Sequence, residues 1–180
     1  MDFLFVNLIA LIIGVASGVL ASYIFLTKYL KNKVPNIKIS NFVSLREFQG
    51  EWNYFLKFVN HTDCEIFDVR VELTLYKPIG DINGTNLQGK DVVLKDNFFS
   101  YLSKSDLNDE RNLHALRVRT TTDILGMWDD QSSFLRLTVI ARHSLSGLNK
   151  VFVKDYKSKD LIVKKKFMSG DDLSVYNGNI

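Results

Sequence analysis

The sequence is short of the residues that would point to chemistry. A single cysteine, Cys64, leaves no internal disulfide possible, which fits a reducing compartment. There are three histidines, His61, His114 and His143, and none begins a metal-helix or zinc-finger spacing. His61 and Cys64 are separated by two residues, with no second pair to complete a site. His143 beside Ser144 is no catalytic pair, because a nucleophile and its base must meet side chain to side chain with a third group orienting them. Ser146 to Lys150, SGLNK, lacks the glycine spacing and Lys-Ser/Thr ending of a phosphate loop. Asp81, Asn83 and Thr85 match the first oxygen ligands of a calcium loop, but Asn86 replaces its glycine and Val92 its bidentate Glu. No cofactor and no metal are expected, and the chain reads as a binder rather than an enzyme. No internal repeat is present.

Charge imbalance is lacking too. Lys and Arg number 23 against 20 Asp and Glu, a formal charge of +3. Asp2 precedes the first apolar run, so the remainder carries a surplus of four. That is weak attraction to anionic surfaces, not the imbalance of a dedicated nucleic-acid binder.

Charge is missing altogether from Phe3 to Leu26, FLFVNLIALIIGVASGVLASYIFL, where no Asp, Glu, Lys, Arg or Pro occurs in 24 residues. A helix of that length runs about 36 Å, enough to cross a hydrocarbon layer of about 30 Å with some tilt. Residues 3–26 are therefore read as a transmembrane helix. Lys28, Lys31 and Lys33 follow it directly, and basic flanks stay cytoplasmic, which places the N-terminus outside the cell membrane and the rest of this single-pass chain in the cytoplasm. The competing reading is a cleaved signal and an exported domain. A signal wants a positive n-region and a shorter apolar core before its small-residue site, whereas here Asp2 precedes a long run, although Ala16, Ser17, Gly18 and Ala21 could serve as small residues. Two glycosylation acceptors, at Asn60 and Asn83, matter only in that exported case.

Within the span, Ala10, Gly14, Gly18 and Ser22 recur every four residues, and Asn7 lies one turn earlier. This ridge is expected to let two spans approach closely, with Asn7 hydrogen bonding across the pair, giving a homo-oligomer.

After a basic linker, residues 27–36, in which Pro35 stops the helix, the period changes to two. Trp52, Tyr54, Leu56 and Phe58 share one face of a strand. Val69, Val71, Leu73 and Leu75 oppose Arg70, Glu72 and Thr74 on the next, and NHTDCE between them reads as a hairpin turn. Lys77 to Lys90 is expected as a flexible loop. Short strands are expected over Asp91 to Lys95 and Phe98 to Leu102, then a charged loop, then HALRVRT with Leu116 and Val118 inward. Thr122 to Asp130 reads as a short helix. Ser133 to Arg142 is the clearest strand, with Leu135, Leu137, Val139 and Ala141 on one face; a turn at Ser146-Gly147 leads to strands over Lys150 to Tyr156 and Leu161 to Phe167. The chain from Ser169 onward is polar and expected to fray. Residues 37–168 thus form an all-β domain, an antiparallel sandwich or partly closed barrel, followed by a flexible tail, 169–180.

The order DVRVELTLYK, long loop, HALRVRT, short helix ending MWDD, hairpin FLRLTVIARHSLSGLNKVFVKDY and DLIVKKKF resembles the cytoplasmic immunoglobulin-like domain of inward-rectifier potassium channels. There a similar late hairpin precedes a short strand after an aromatic and an acidic residue, here Tyr156 and Asp160. The resemblance covers Ile37 to Phe167 and implies an immunoglobulin-like β-sandwich, with oligomerisation beneath a membrane as a possibility. The chain departs from that family in having no second span and no selectivity filter, so no pore is implied.

Two surface features remain. Arg117, Arg119, Arg136 and Arg142 fall on outward positions of strands expected to be neighbours, where they form either a guanidinium patch for a small anionic ligand or salt bridges with Glu72 and nearby acids. Lys164, Lys165 and Lys166, with Lys154, Lys157 and Lys159 nearby, are either a solvated face or, with Lys28, Lys31 and Lys33, a contact to anionic lipid. The aromatic residues are read as core. The chain is expected to be a membrane-anchored interaction or sensing module for a protein or small anion, or alternatively an accessory subunit tethering another complex to the bilayer.

Overall fold

The computed structural model describes residues 2–30, 33–80, 84–106 and 108–176. The chain divides into two compact units, Met1–Val34 and Pro35–Ile180.

The first unit is helix α1, Asp2–Ile24, continued by a π-helical segment, Phe25–Leu30. Over Phe5–Leu30 it is long and apolar enough to cross a membrane, with none of that stretch buried. The first four residues of the expected linker are thus helical. Thr27 Oγ1 donates to Tyr23 O at 2.6 Å, four residues back, and Phe25 stacks on Tyr29 with centroids 5.2 Å apart. Widened turns of this kind occur where side chains compete with the regular ladder. Of the lysines following the apolar run, Lys28 lies in the π-helical segment, Lys33 follows it, and Lys31 lies outside the described residues.

The second unit is an all-β sandwich of two five-stranded sheets, as the alternating apolar pattern requires. In the first sheet β3, Glu51–Asn60, is central. Strands β1, Ile37–Ile39, and β2, Val43–Phe48, lie end to end along one of its edges, and β7, Ala115–Thr120, takes the other. Strand β10, Ile162–Val163, adds to β2 in parallel. In the second sheet β4, Ile66–Ile79, is central. Strands β5, Asn86–Asp91, and β6, Phe98–Leu102, share one edge of it, while β8, Phe134–His143, lies on the other and carries β9, Asn149–Tyr156. Leu56, Phe58, Val71, Leu73, Leu135, Leu137 and Val139 meet between the sheets in one core. The apolar sets expected for β3, β4, β7 and β8 face the core, except that Trp52, near the start of β3, is 54% exposed.

Four expectations at the connections are corrected. Residues 61–65 form no hairpin: both edges of β3 are taken, so the chain passes to the other sheet. The Asn60 amide holds this crossing by donating to Cys64 O at 3.1 Å and Ser103 O at 2.8 Å. The stretch expected as a loop is largely β-structure, with β4 reaching Ile79 and pairing β5 from Thr74↔Asp91 to Ile79↔Asn86. Strand β5 is exposed throughout, so no apolar alternation marks it, and Gly89 is there because a Cβ would meet Thr74 and Tyr76 side-chain atoms at 3.0 Å. Residues 92–95 are not a strand but the connection from β5 to β6 of the same sheet, in which Val92 N–H donates to Leu73 O and Lys95 N–H to Arg119 O of the other sheet, each at 2.8 Å. Helix α2 is only Ile124–Met127, and its cap is Asp123, whose carboxylate accepts from Gly126 N–H.

The largest correction concerns the C-terminus. Beyond β10 the chain does not fray but folds as a strap across the outer face of the first sheet, through Tyr176. Phe167 and Val175 bridge each other and bury against Phe55 in a second small core. Ser40 Oγ donates to Leu173 O at 2.7 Å, Ser44 Oγ to Lys165 O, and His114 Nε2 meets Asp171 Oδ1. Both faces of β3 are therefore covered.

Candidate functional site

Strand alternation places Arg46 of β2 and Arg117 and Arg119 of β7 on the outer face of the first sheet. In register, Arg46 stands opposite Asn53, Arg119 opposite Phe55 and Arg117 opposite Lys57. The β2–β3 hairpin turns through Gln49 and Gly50, both at positive φ, the conformation a two-residue primed turn requires. This turn brings Phe48 back over the sheet, with its ring edge-on to Phe55 at 5.9 Å.

The two rings hold the guanidinium groups. Arg46 Cζ lies 4.3 Å from the Phe55 centroid and 5.8 Å from that of Phe48, and Arg119 Cζ lies 4.8 Å from Phe48. Stacking of this kind fixes the plane of the guanidinium and leaves its N–H edges free to point outward. Arg119 Nη1 also donates to Asn53 Oδ1 at 3.1 Å, and Asn53 Nδ2 in turn donates to Phe48 O and Glu51 O at 3.2 and 2.9 Å. Arg117 Nη2 donates to Met168 O of the strap at 2.9 Å. Partial burial, reinforced by the charge of Arg46, holds Arg117 below the usual arginine range. Among the described residues no carboxylate pairs with any of the three. A cleft of about 410 Å3 adjoins Arg117, lined also by Lys57, Glu110, Arg111, Asn112 and Gly170.

Beneath this face Lys57 is completely buried. Its ammonium donates to Met168 O at 2.8 Å, Gly170 O at 2.6 Å and Asp172 O at 2.7 Å, so each of its three N–H groups has an acceptor. Burial, aided by repulsion from Arg117, pulls its pKa down to about 8. In the unfolded chain Lys57 holds its proton to about 10.4. Between these values the unfolded chain binds a proton the native state has released, so stability rises with pH across that window. Urea unfolding at pH 7.5 and 9.5 should show the wild type gaining stability relative to Lys57→Met as pH rises; a constant difference would count against the assignment.

The four arginines, read as either one patch or a set of salt bridges on neighbouring strands, are separated. Arg117 and Arg119 stay together on the first sheet, but Arg136 and Arg142 lie on the opposite outer face of the sandwich, on β8. Arg136 is held in a bidentate pair with Asp155, at 2.7 and 2.9 Å, and this pairing lowers the Asp155 pKa and raises that of Arg136. Arg142 Nη2 pairs with Asp68 Oδ2 at 2.7 Å. For these two the salt-bridge alternative is the one found, with Asp155 and Asp68 as the acids rather than Glu72. Arg46 was not legible because β2 is short, yet Val43-Ser-Leu-Arg46 alternates and Gln49-Gly50 marks the turn.

The other expected sites lie elsewhere. Lys164 Nζ sits 5.5 Å from the Trp52 ring, and Lys165 and Lys166 are exposed beyond β10. Asn7, Ala10, Gly14, Gly18 and Ser22 are exposed on α1. Cys64 meets His143 rather than His61, with Sγ 3.3 Å from Nε2, and Asp63 completes a donor set within 4.8 Å. Leu145 and Ser146 N–H both donate to His143 Nδ1. This leaves the proton on Nε2, whereas a metal there needs that nitrogen's lone pair, so the donor set does not fit a metal as arranged.

No family model matches the chain, and no curated protein matches it.

Proposed function

We propose that the protein is a single-pass, membrane-anchored module that binds an anionic partner through the arginine face of its β-sandwich. The observation that carries this reading is the set of three guanidinium groups, Arg46, Arg117 and Arg119, oriented by rings and amides and paired with no carboxylate among the described residues. A structural arginine on a sheet surface is usually balanced by an acid, as Arg136 and Arg142 are here. Cations held together without one favour a partner that supplies the negative charge.

In this reading α1 is an uncleaved anchor, and Lys28, Lys31 and Lys33 keep the sandwich on the cytoplasmic side. The small-residue ridge through Gly14 and Gly18 pairs two spans, so that binding and self-association belong to one molecule. The likeness to the inward-rectifier cytoplasmic domain supports the plan of a sandwich beneath a membrane and nothing about a pore. A second reading, an accessory subunit that tethers a protein complex, is favoured by the edge strand β9, where Val151 and Val153 are 55% and 51% exposed.

Carbonate-washed membranes test the anchor. The full chain should stay in the pellet and a chain lacking residues 2–30 should appear in the supernatant. Release of the full chain would remove the membrane from the proposal.

A further inference from the structure

We infer that Arg46 and Arg119, with Arg117 beside them, form a clamp for a phosphate-type dianion. The inference rests on the binding role proposed above and goes further by naming the ligand's chemistry. Three cations share one face, and each guanidinium presents a planar fork of donors. A single carboxylate carries one negative charge and two oxygens, and it satisfies one fork. A phosphate monoester carries about two charges and a diphosphate about three, with three or more terminal oxygens, so either can span two forks at once and offset the mutual repulsion of the cations.

The geometry is prepared for this. Arg46 lies over Phe55 and Arg119 over Phe48, and these two rings are themselves in contact. Asn53 fixes Arg119 through one nitrogen, Nη1, leaving the other side of its fork available. Arg46 makes no hydrogen bond to another side chain or to backbone among the described residues. Arg46 and Arg119 both lie over the Phe48 ring, with Cζ 5.8 and 4.8 Å from its centroid, which brings these two forks to one place. Glu51, on the same face at the hairpin tip, is exposed and pairs with none of the three among the described residues. Ring-held guanidinium groups lose little freedom on binding, so the interaction is not spent on ordering side chains.

Two sources present this chemistry, a soluble phosphorylated molecule and the phosphomonoester headgroup of an anionic lipid. Titration calorimetry on the full-length protein in mild detergent, with pyrophosphate and with succinate, tests the shared chemistry. Pyrophosphate should bind, succinate should bind at least tenfold more weakly, and Arg46→Gln combined with Arg119→Gln should weaken pyrophosphate at least tenfold. Arg70→Gln, on the opposite outer face, should leave it unchanged, and matched thermal melts establish that the variants are folded. Repeating the titration in nanodiscs of phosphatidic acid and of phosphatidylglycerol at equal charge identifies the source. At least tenfold weaker pyrophosphate binding in phosphatidic acid alone points to a headgroup in the clamp, and equal binding points to a soluble ligand. Pyrophosphate binding that survives the double substitution overturns the clamp. Succinate binding as tight as pyrophosphate, and lost in the double variant, overturns the phosphate assignment while leaving the anion-binding role standing. Binding of neither anion, with no difference between the two nanodiscs, overturns both.

Discussion

Replacing Lys57 with Met is expected to destabilise the sandwich by about 3 kcal/mol, lowering its melting temperature by roughly 10 °C. Met retains most of the stem's apolar volume, so the packing along β3 is disturbed little. What is lost is the donor. The carbonyls of Met168, Gly170 and Asp172 all accept from one ammonium; with that group gone Met168 O keeps Arg117 Nη2 as a donor, while the Gly170 and Asp172 carbonyls lose theirs. A buried carbonyl without a partner costs about 1–3 kcal/mol. Removing a buried charge offsets part of the loss, because the cation no longer has to be desolvated. The balance is set by these acceptors, since each was placed by the strap to meet Nζ. Thermal and urea melts at pH 7 of the full chain in detergent, followed by tryptophan fluorescence, measure it. A change below about 1 kcal/mol would mean that water reaches those carbonyls and that Lys57 does not hold the strap.

Lys57 also shows where sequence reading reached its limit. In WNYFLKFVN the set Trp52, Tyr54, Leu56 and Phe58 is legible as one face, because alternation is a local property of the strand. The burial of Phe55, Lys57 and Val59 on the other face depends on a segment more than a hundred residues later, and no local pattern announces it. A lysine between Leu56 and Phe58 reads as the wetted side of a strand unless three distant carbonyls are known to meet it.

The strap itself, MSGDDLSVY, is polar and short of periodicity, the signature of a frayed end. Its order comes from long-range bonds made by other elements' side chains: Ser40, Lys57, His114 and Arg117. The candidate site was half legible for a related reason. Alternation correctly put Arg117 and Arg119 on one face and Arg136 and Arg142 on another strand's outer face. Which strands share a sheet is decided by where the chain crosses, after β3 at residues 61–65 and again between β6 and β7, and turn residues alone do not distinguish a hairpin from a crossing. The apolar helix was legible throughout because its signal is composition over more than twenty residues, which needs no tertiary partner.

Ending the chain at Lys166 should have a larger effect than Lys57→Met, about 5 kcal/mol, because it removes apolar burial together with the acceptors. Phe167 and Val175 leave the small core they form with Phe55, exposing that ring on the outer face. His114, buried with Nδ1 unpartnered among the described residues, loses Asp171, and Arg117 loses the Met168 carbonyl. Lys57 then faces water, so its ammonium is hydrated rather than stranded. For that reason the two changes must not add. In the wild type, truncation breaks three ammonium–carbonyl bonds; in Lys57→Met those bonds are already gone, and truncation there also removes the two carbonyls, of Gly170 and Asp172, that the substitution had left without their donor. The double-mutant cycle should therefore give a coupling of about 2 kcal/mol, the combined variant being less destabilised than the sum of the two. Additivity within about 0.5 kcal/mol would show that the strap and Lys57 stabilise the sandwich independently, and the account of β3 as a strand sealed on its outer face by one lysine would fail. If the coupling is present, the arginine face has a defined floor: the same strap that covers Lys57 also positions Arg117 and packs against the Phe55 ring beneath Arg46, so truncation should disturb the cleft beside Arg111 before it disturbs Arg119, which is held by Phe48 and Asn53.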